Sequence, residues 1–152
     1  MKDILEIKPG VGINDLKFGK SIQDAVIFFG KPDDIQLLDE IEESKSTVYH
    51  YWENGFSLFF DEQKNQLFCC VEIDNKEAYL WGKQIFGLNE KQVLDLFKSK
   101  GYTLYESEFH EWGEKRLSFE EINMDFYFEK NKLVSINYGY SIESHLNLIH
   151  SN

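Results

Sequence analysis

The sequence predicts an α+β fold of two tandem repeats, each a short helix packed on an antiparallel three- to four-stranded sheet. Three observations lead there. Phe18-Gly19 and Phe86-Gly87 each close a short apolar stretch and open a helical pattern, 68 residues apart. Phe60 and Phe128, inside two strand-turn-strand patterns further on, stand at the same offset of 68. The 13 Phe, 8 Tyr and 3 Trp among 152 residues favour sheet over helical bundle.

The first element is the joint at Gly19. "GVGINDLKFGKS" ends like a phosphate-binding loop, but that loop needs a glycine five positions before the glycine of Gly-Lys-Ser. Asn14 stands there. Gly19-Lys20-Ser21 therefore reads as a turn into a helix, with Ser21 as N-cap and Asp24 three residues on. Ile22, Ala25, Val26 and Phe29 follow at helical spacing, and Gly30 ends the helix. The second copy repeats this with Asn89 and Gln92 at the cap, Val93, Leu94 and Phe97 on the apolar side, and Gly101 at the end.

Each helix is followed by a predicted hairpin, Gly55 to Ile73 and Asn123 to Tyr140. A further strand precedes each, around "STVYHYW" and "YTLYESEFHEW". The second copy also calls for an extra strand or a longer turn near "GEKRLSFEE". The tail "SIESHLNLIHSN" reads as one closing helical turn or two. Residues 1–75 and 76–152 are the two expected repeats, together one compact unit.

The formal charge is −11, from 27 acidic and 16 basic residues. That argues against nucleic acid or an anionic membrane as partner and makes a basic protein electrostatically plausible. The opening "MKDILEIKPG" lacks the apolar core of a signal peptide, and no run approaches the roughly 18 apolar residues of a membrane span. Cys69 and Cys70 are adjacent in an apolar strand pattern, where neighbours face opposite ways. Neither a disulfide framework nor a metal pair is indicated, and a reducing cytoplasm fits best.

Catalytic signatures are wanting. His50/Trp52 and His110/Trp112 repeat as His-x-Trp, at an offset of 60 that breaks from 68. No histidine or cysteine spacing indicates a metal, no Ser sits in a nucleophile elbow, and no cofactor is implied. The chain reads as non-enzymatic. What stands out is acid interleaved with aromatics. Asp33, Asp34, Asp39, Glu40, Glu42 and Glu43 precede Tyr49, Tyr51 and Trp52; Glu106, Glu108, Glu111 and Glu114 alternate with Tyr105, Phe109 and Trp112. Solvated acidic loops ahead of core strands are the plainer account; that both copies do it favours binding. Aromatic anchors with carboxylate steering suit a protein partner. The candidate binding residues are Asp39, Glu40, Glu42, Glu43, Tyr51, Trp52, Glu106, Glu108, Glu111 and Trp112.

Gly19, Ser21, Gly30 and Pro32, opening a helix that is then followed by strands, resemble the start of each unit in the β-lactamase inhibitor protein and the related outer-membrane assembly lipoprotein fold. The second copy keeps Gly87 and Gly101 and lacks the proline. The resemblance implies a binding protein, and the missing lipoprotein signal argues against membrane assembly. By type the chain also resembles bacterial immunity proteins, small acidic cytoplasmic chains that neutralise a cognate toxin. The expected function is an inhibitor or immunity protein blocking a basic toxin domain, a nuclease for example. The alternatives are an adaptor or chaperone-like module, and a small hydrolase with a His/carboxylate site.

Overall fold

The protein is described here by a computed structural model covering residues 4–38, 46–61 and 66–140. Each helix begins as its cap residues dictate. Ser21 Oγ accepts the Asp24 N–H at 3.2 Å and Asp24 Oδ2 accepts the Ser21 N–H at 3.4 Å, opening α1 (Ile22–Phe29). Asn89 and Gln92 exchange the same two bonds, both 2.9 Å, opening α2 (Glu90–Ser99). Such reciprocal caps satisfy two N–H groups that a helix start otherwise leaves open.

The strands are β1 (Glu6–Lys8), β2 (Gly12–Ile13), β3 (Leu16–Lys17), β4 (Asp34–Leu38), β5 (Ser46–Tyr51), β6 (Phe56–Asp61) and β7 (Leu67–Ile73). They continue with β8 (Tyr79–Leu80), β9 (Lys83–Gln84), β10 (Glu106–Phe109), β11 (Glu114–Phe119), β12 (Met124–Glu129) and β13 (Lys132–Gly139). They build two sheets. The larger has eight strands in the order β10-β11-β12-β13-β7-β6-β5-β4, and the smaller has five, β3-β2-β1-β8-β9.

This corrects the expected fold class. The chain is mainly β, with two α-helices among the described residues, and it is not two helix-on-sheet repeats. The reason lies at β7 and β13, the last strand of each four-stranded meander. An isolated meander would leave their N–H and C=O groups open. Here the two pair antiparallel, Ile136 with Ile73 and Gly139 with Cys70, so one sheet runs through both halves. Segments read as lead-ins to the helices form the second sheet, through a parallel pairing of β1 with β8.

One face of the large sheet carries the core. Phe56, Leu58 and Phe60 on β6, Val71 and Ile73 on β7, Met124, Phe126 and Phe128 on β12, and Ile136 and Tyr138 on β13 are all buried. Phe97 of α2 stacks on Phe119 at 4.4 Å and meets Phe126 edge-on at 5.1 Å. Phe18, beside β3, packs on Phe68 at 4.8 Å and on Tyr138 at 6.0 Å. The Tyr138 hydroxyl crosses to the small sheet and donates to Gly12 O at 2.9 Å. Helix α1 is tied in less deeply than its sequence pattern predicts. Ala25 is buried and Ile22 and Phe29 pack against the core, whereas Val26 faces out with Ile27 and Phe28.

The "DIQLL" stretch, expected within an acidic loop, is edge strand β4. "GEKRLSFEE" supplies β11, and the preceding strand narrows to β10. The tail read as a helical turn lies outside the described residues.

Candidate functional site

With one face of the large sheet against the core, the other carries mostly polar side chains, with Val48, Phe59 and Cys70 among them, because successive strand residues point to opposite faces. In "MDFYFE" of β12, Met124, Phe126 and Phe128 are buried while Asp125 and Tyr127 are half-buried on the far side. The register carries this across every strand. Asp34 pairs with His50, His50 with Ser57, Ser57 with Glu72, and Glu72 with Asn137. Asn137 pairs with Asp125, Asp125 with Ser118, and Ser118 with Glu106. One row of eight side chains thus spans the sheet, all of them polar. Four are carboxylates and none is Lys or Arg. At about 4.8 Å between strands the row is about 34 Å long.

A second row runs beside part of it, with Glu108 opposite Arg116 and Arg116 opposite Tyr127. Arg116 is held by Glu108 at 2.9 Å. Burial raises the Tyr127 pKa above the usual phenol value, and the Asp125 carboxylate adds to the shift.

His50 and His110 sit toward the margins of this face, each stacked on an indole. His50 stacks on Trp52 with ring centres 5.2 Å apart, and His110 on Trp112 at 4.3 Å with planes 8° apart. His50 Nε2 lies 2.9 Å from Gln36 Oε1 and Nδ1 lies 2.7 Å from Ser57 Oγ. With the amide oxygen as acceptor, Nε2 carries the proton and Nδ1 accepts the Ser57 hydroxyl. A Ser–His contact invites a nucleophilic reading. Ser57, however, is only 8% exposed in the middle of a strand pairing on both sides, whose N–H groups are committed to the ladder.

The sequence-predicted residues fall into three groups. Glu106, Glu108, Glu111 and Trp112 come together at the β10–β11 margin, all exposed, with His110 Nδ1 3.8 Å from Glu108. Trp52 is exposed at the other side of the sheet. Tyr51 is a correction: it is 2% exposed, its hydroxyl donates to Gly30 O at 2.9 Å, and its ring stacks on Phe56 at 5.0 Å. Lying next to His50 in a strand, it faces the core and offers a partner no surface. Burial raises its pKa to about 12, with Tyr49 and Asp33 adding to the shift. Asp39, Glu40, Glu42 and Glu43 lie outside the described residues.

The sequence reading missed the middle of the row: Ser57, Glu72, Asp125, Ser118 and Asn137. Alternation in "FSLFFD" and "MDFYFE" marks some of them as outward. The pairing that sets Glu72 beside Asn137 joins the two halves and has no local signature.

Two surface depressions stand out. The larger, about 850 Å³, lies between α1, the small sheet and the β5–β6 turn, with Ile4, Glu6, Phe28, Asn54, Asn75 and Tyr79 on its wall. Among the described residues none of its lining is histidine, cysteine or serine. The smaller, about 270 Å³, lies on the polar face at the β7–β13 seam. Among the described residues no cluster of three His, Cys, Asp or Glu suits a metal ion. No helix among them is long and apolar enough to cross a membrane.

No family model matches the chain, and no curated protein matches it. A solved structure of an extracellular protein containing an SCP domain from Bacillus anthracis is similar over 85% of this chain, at 15% identity and a TM-score of 0.47. The chain spans 45% of that protein's length, and a likeness this distant carries no functional argument.

Proposed function

We propose that this is a non-enzymatic, acidic protein-binding protein, an inhibitor or immunity protein that neutralises a basic bacterial toxin domain in the cytoplasm. The observation that carries the reading is the eight-residue polar row, with four carboxylates and no Lys or Arg, on the sheet face opposite the core. A face of that charge attracts a basic surface and speeds encounter, while Trp52 and Trp112 provide rigid contact area at its margins. The chain's charge of −11 acts in the same direction at longer range. A nuclease domain, basic because its substrate is anionic, is the toxin class that fits best. Against a hydrolase stand the buried Ser57 and a larger depression without histidine.

The test is affinity capture from the producing organism's lysate at low and then high salt, followed by assay of the captured protein. A single stoichiometric basic partner, released by salt and inhibited in its nuclease activity by the chain, is expected. A partner whose activity is untouched, or nothing retained at low salt, would sink the proposal.

A further inference from the structure

Halfway along the polar row, at the seam, Glu72 of β7 faces Asn137 of β13, which faces Asp125 of β12. The 270 Å³ depression there is lined by Phe59, Cys70, Asn123, Asp125, Asn137 and Gly139. Its chemistry is one-sided. The Asn137 side-chain amide bonds Tyr127, while its Oδ1 is buried and finds no donor among the described residues. Asp125 adds a carboxylate, and Glu72, paired with Asn137 outside the lining, is exposed. The face's own cation, Arg116, is bound to Glu108 through Nη2, and its Nε is buried without a partner among the described residues. A buried acceptor without a donor is unfavourable, and burial beside a carboxylate makes a charged donor the group that relieves it most.

The depression exists because β13 ends in a glycine. A Cβ at Gly139 would meet Cys69 O at 2.6 Å and Cys70 Sγ at 3.0 Å, so no side chain stands there. The Phe59 ring forms part of the wall, and an aromatic surface next to carboxylates suits a planar cation.

We propose that the seam depression receives one arginine side chain of the bound protein, its guanidinium shared between Asp125, Asn137 Oδ1 and Glu72. The proposal rests on the reading of this face as a protein-binding surface and names its central contact. Arginine fits better than lysine here because a planar fork of donors reaches two acceptors on neighbouring strands at once. A second copy of this chain is the poorer occupant, since it would bring another row of carboxylates against the first.

The experiment uses the whole chain, labelled with 15N, titrated with acetyl-arginine N-methylamide and, separately, with the neutral isostere acetyl-citrulline N-methylamide. Saturable amide shifts confined to residues 70–72, 125 and 137–139 are expected for arginine and not for citrulline. Asp125→Asn should weaken arginine binding by about fivefold to tenfold, the loss of a charge-assisted contact. Asp95→Asn, on the exposed side of α2, should leave it unchanged. Equal responses to both probes, shifts spread over the acidic surface, or an unaltered Asp125→Asn affinity would each overturn the assignment. A captured basic partner combined with a silent seam would refute the pocket alone. A seam that binds arginine in a chain that captures no protein would instead refute the functional reading.

Discussion

Replacing Tyr138 by Phe removes one oxygen and with it one hydrogen bond between the two sheets. Tyr138 is 2% exposed, and its hydroxyl donates to Gly12 O at 2.9 Å, 126 residues away in sequence. A backbone hydrogen bond from Lys8 reaches the same oxygen. Lys8 and Gly12 are themselves paired across β1 and β2, so the phenol is inserted into the opening of that hairpin. In Tyr138→Phe the ring still packs edge-on to Phe18, but a carbonyl and an N–H lose their partner in a dry setting. Each orphaned buried group costs about 1–3 kcal/mol, so a loss of about 2–3 kcal/mol is expected once the site relaxes. At this chain length that lowers Tm by about 5–10 °C. Urea unfolding followed by circular dichroism should show a lower midpoint with an unchanged slope. Hydrogen exchange at Lys8 should quicken more than at Ile136. A loss below about 0.5 kcal/mol, the range of ordinary surface changes, would refute the claim that this hydroxyl joins the sheets.

Three further predictions follow. Gly55 has φ +74 and a Cβ there would lie 2.8 Å from Asn75 Cβ and 2.9 Å from its Cα, whereas Gly82, at φ +77, has open space around it. Gly55→Ala should therefore lose about 2 kcal/mol or more in urea unfolding and Gly82→Ala about 1 kcal/mol, since only the first adds a clash to the left-handed strain; equal losses would remove crowding from the account. Burial raises the Tyr51 pKa to about 12, so its contribution to stability is complete below the unfolded value of about 10 and is lost as pH rises through 12. The decline in unfolding free energy from pH 10 to 12 should be shallower in Tyr51→Phe, and an identical slope would contradict the assignment. Trp52→Ala and Trp112→Ala change residues 63% and 74% exposed, so each should alter stability by less than about 0.5 kcal/mol. The same two variants should weaken partner capture by about tenfold or more, and full retention by both would remove the indoles from the interface.

What could be read in the sequence was what neighbouring residues decide. The Ser21/Asp24 and Asn89/Gln92 boxes close within four residues, so their signature is local and the structure has both. Hairpins β6–β7 and β12–β13 were marked by alternation broken at polar turns. Val26 shows where such reading fails. At helical spacing it belongs with Ile22 and Phe29, but α1 meets the core along the line of Ala25 and leaves Val26 outside. Tyr51 fails for a related reason. Acid nearby and a tryptophan beside it gave the look of surface, while strand parity with Tyr49 and the cross-strand partner Phe56 assign it to the core.

The candidate site follows the same division with more consequence. Of the described residues chosen from sequence, the exposed ones lie at the sheet's margins, because acid and aromatic runs are conspicuous there. The seam depression is made of Phe59 and Cys70 from one half and Asp125, Asn137 and Gly139 from the other. None of these is conspicuous alone: one acid in an apolar strand, one asparagine, one glycine. They become a site only through the pairing of β7 with β13, a contact between strands more than sixty residues apart in the chain. That pairing also satisfies the two strand edges the separate meanders would have exposed. The step that completes the fold is therefore the step that assembles the site. A substitution that weakens the seam should impair arginine binding through geometry, with every charged residue of the face still in place.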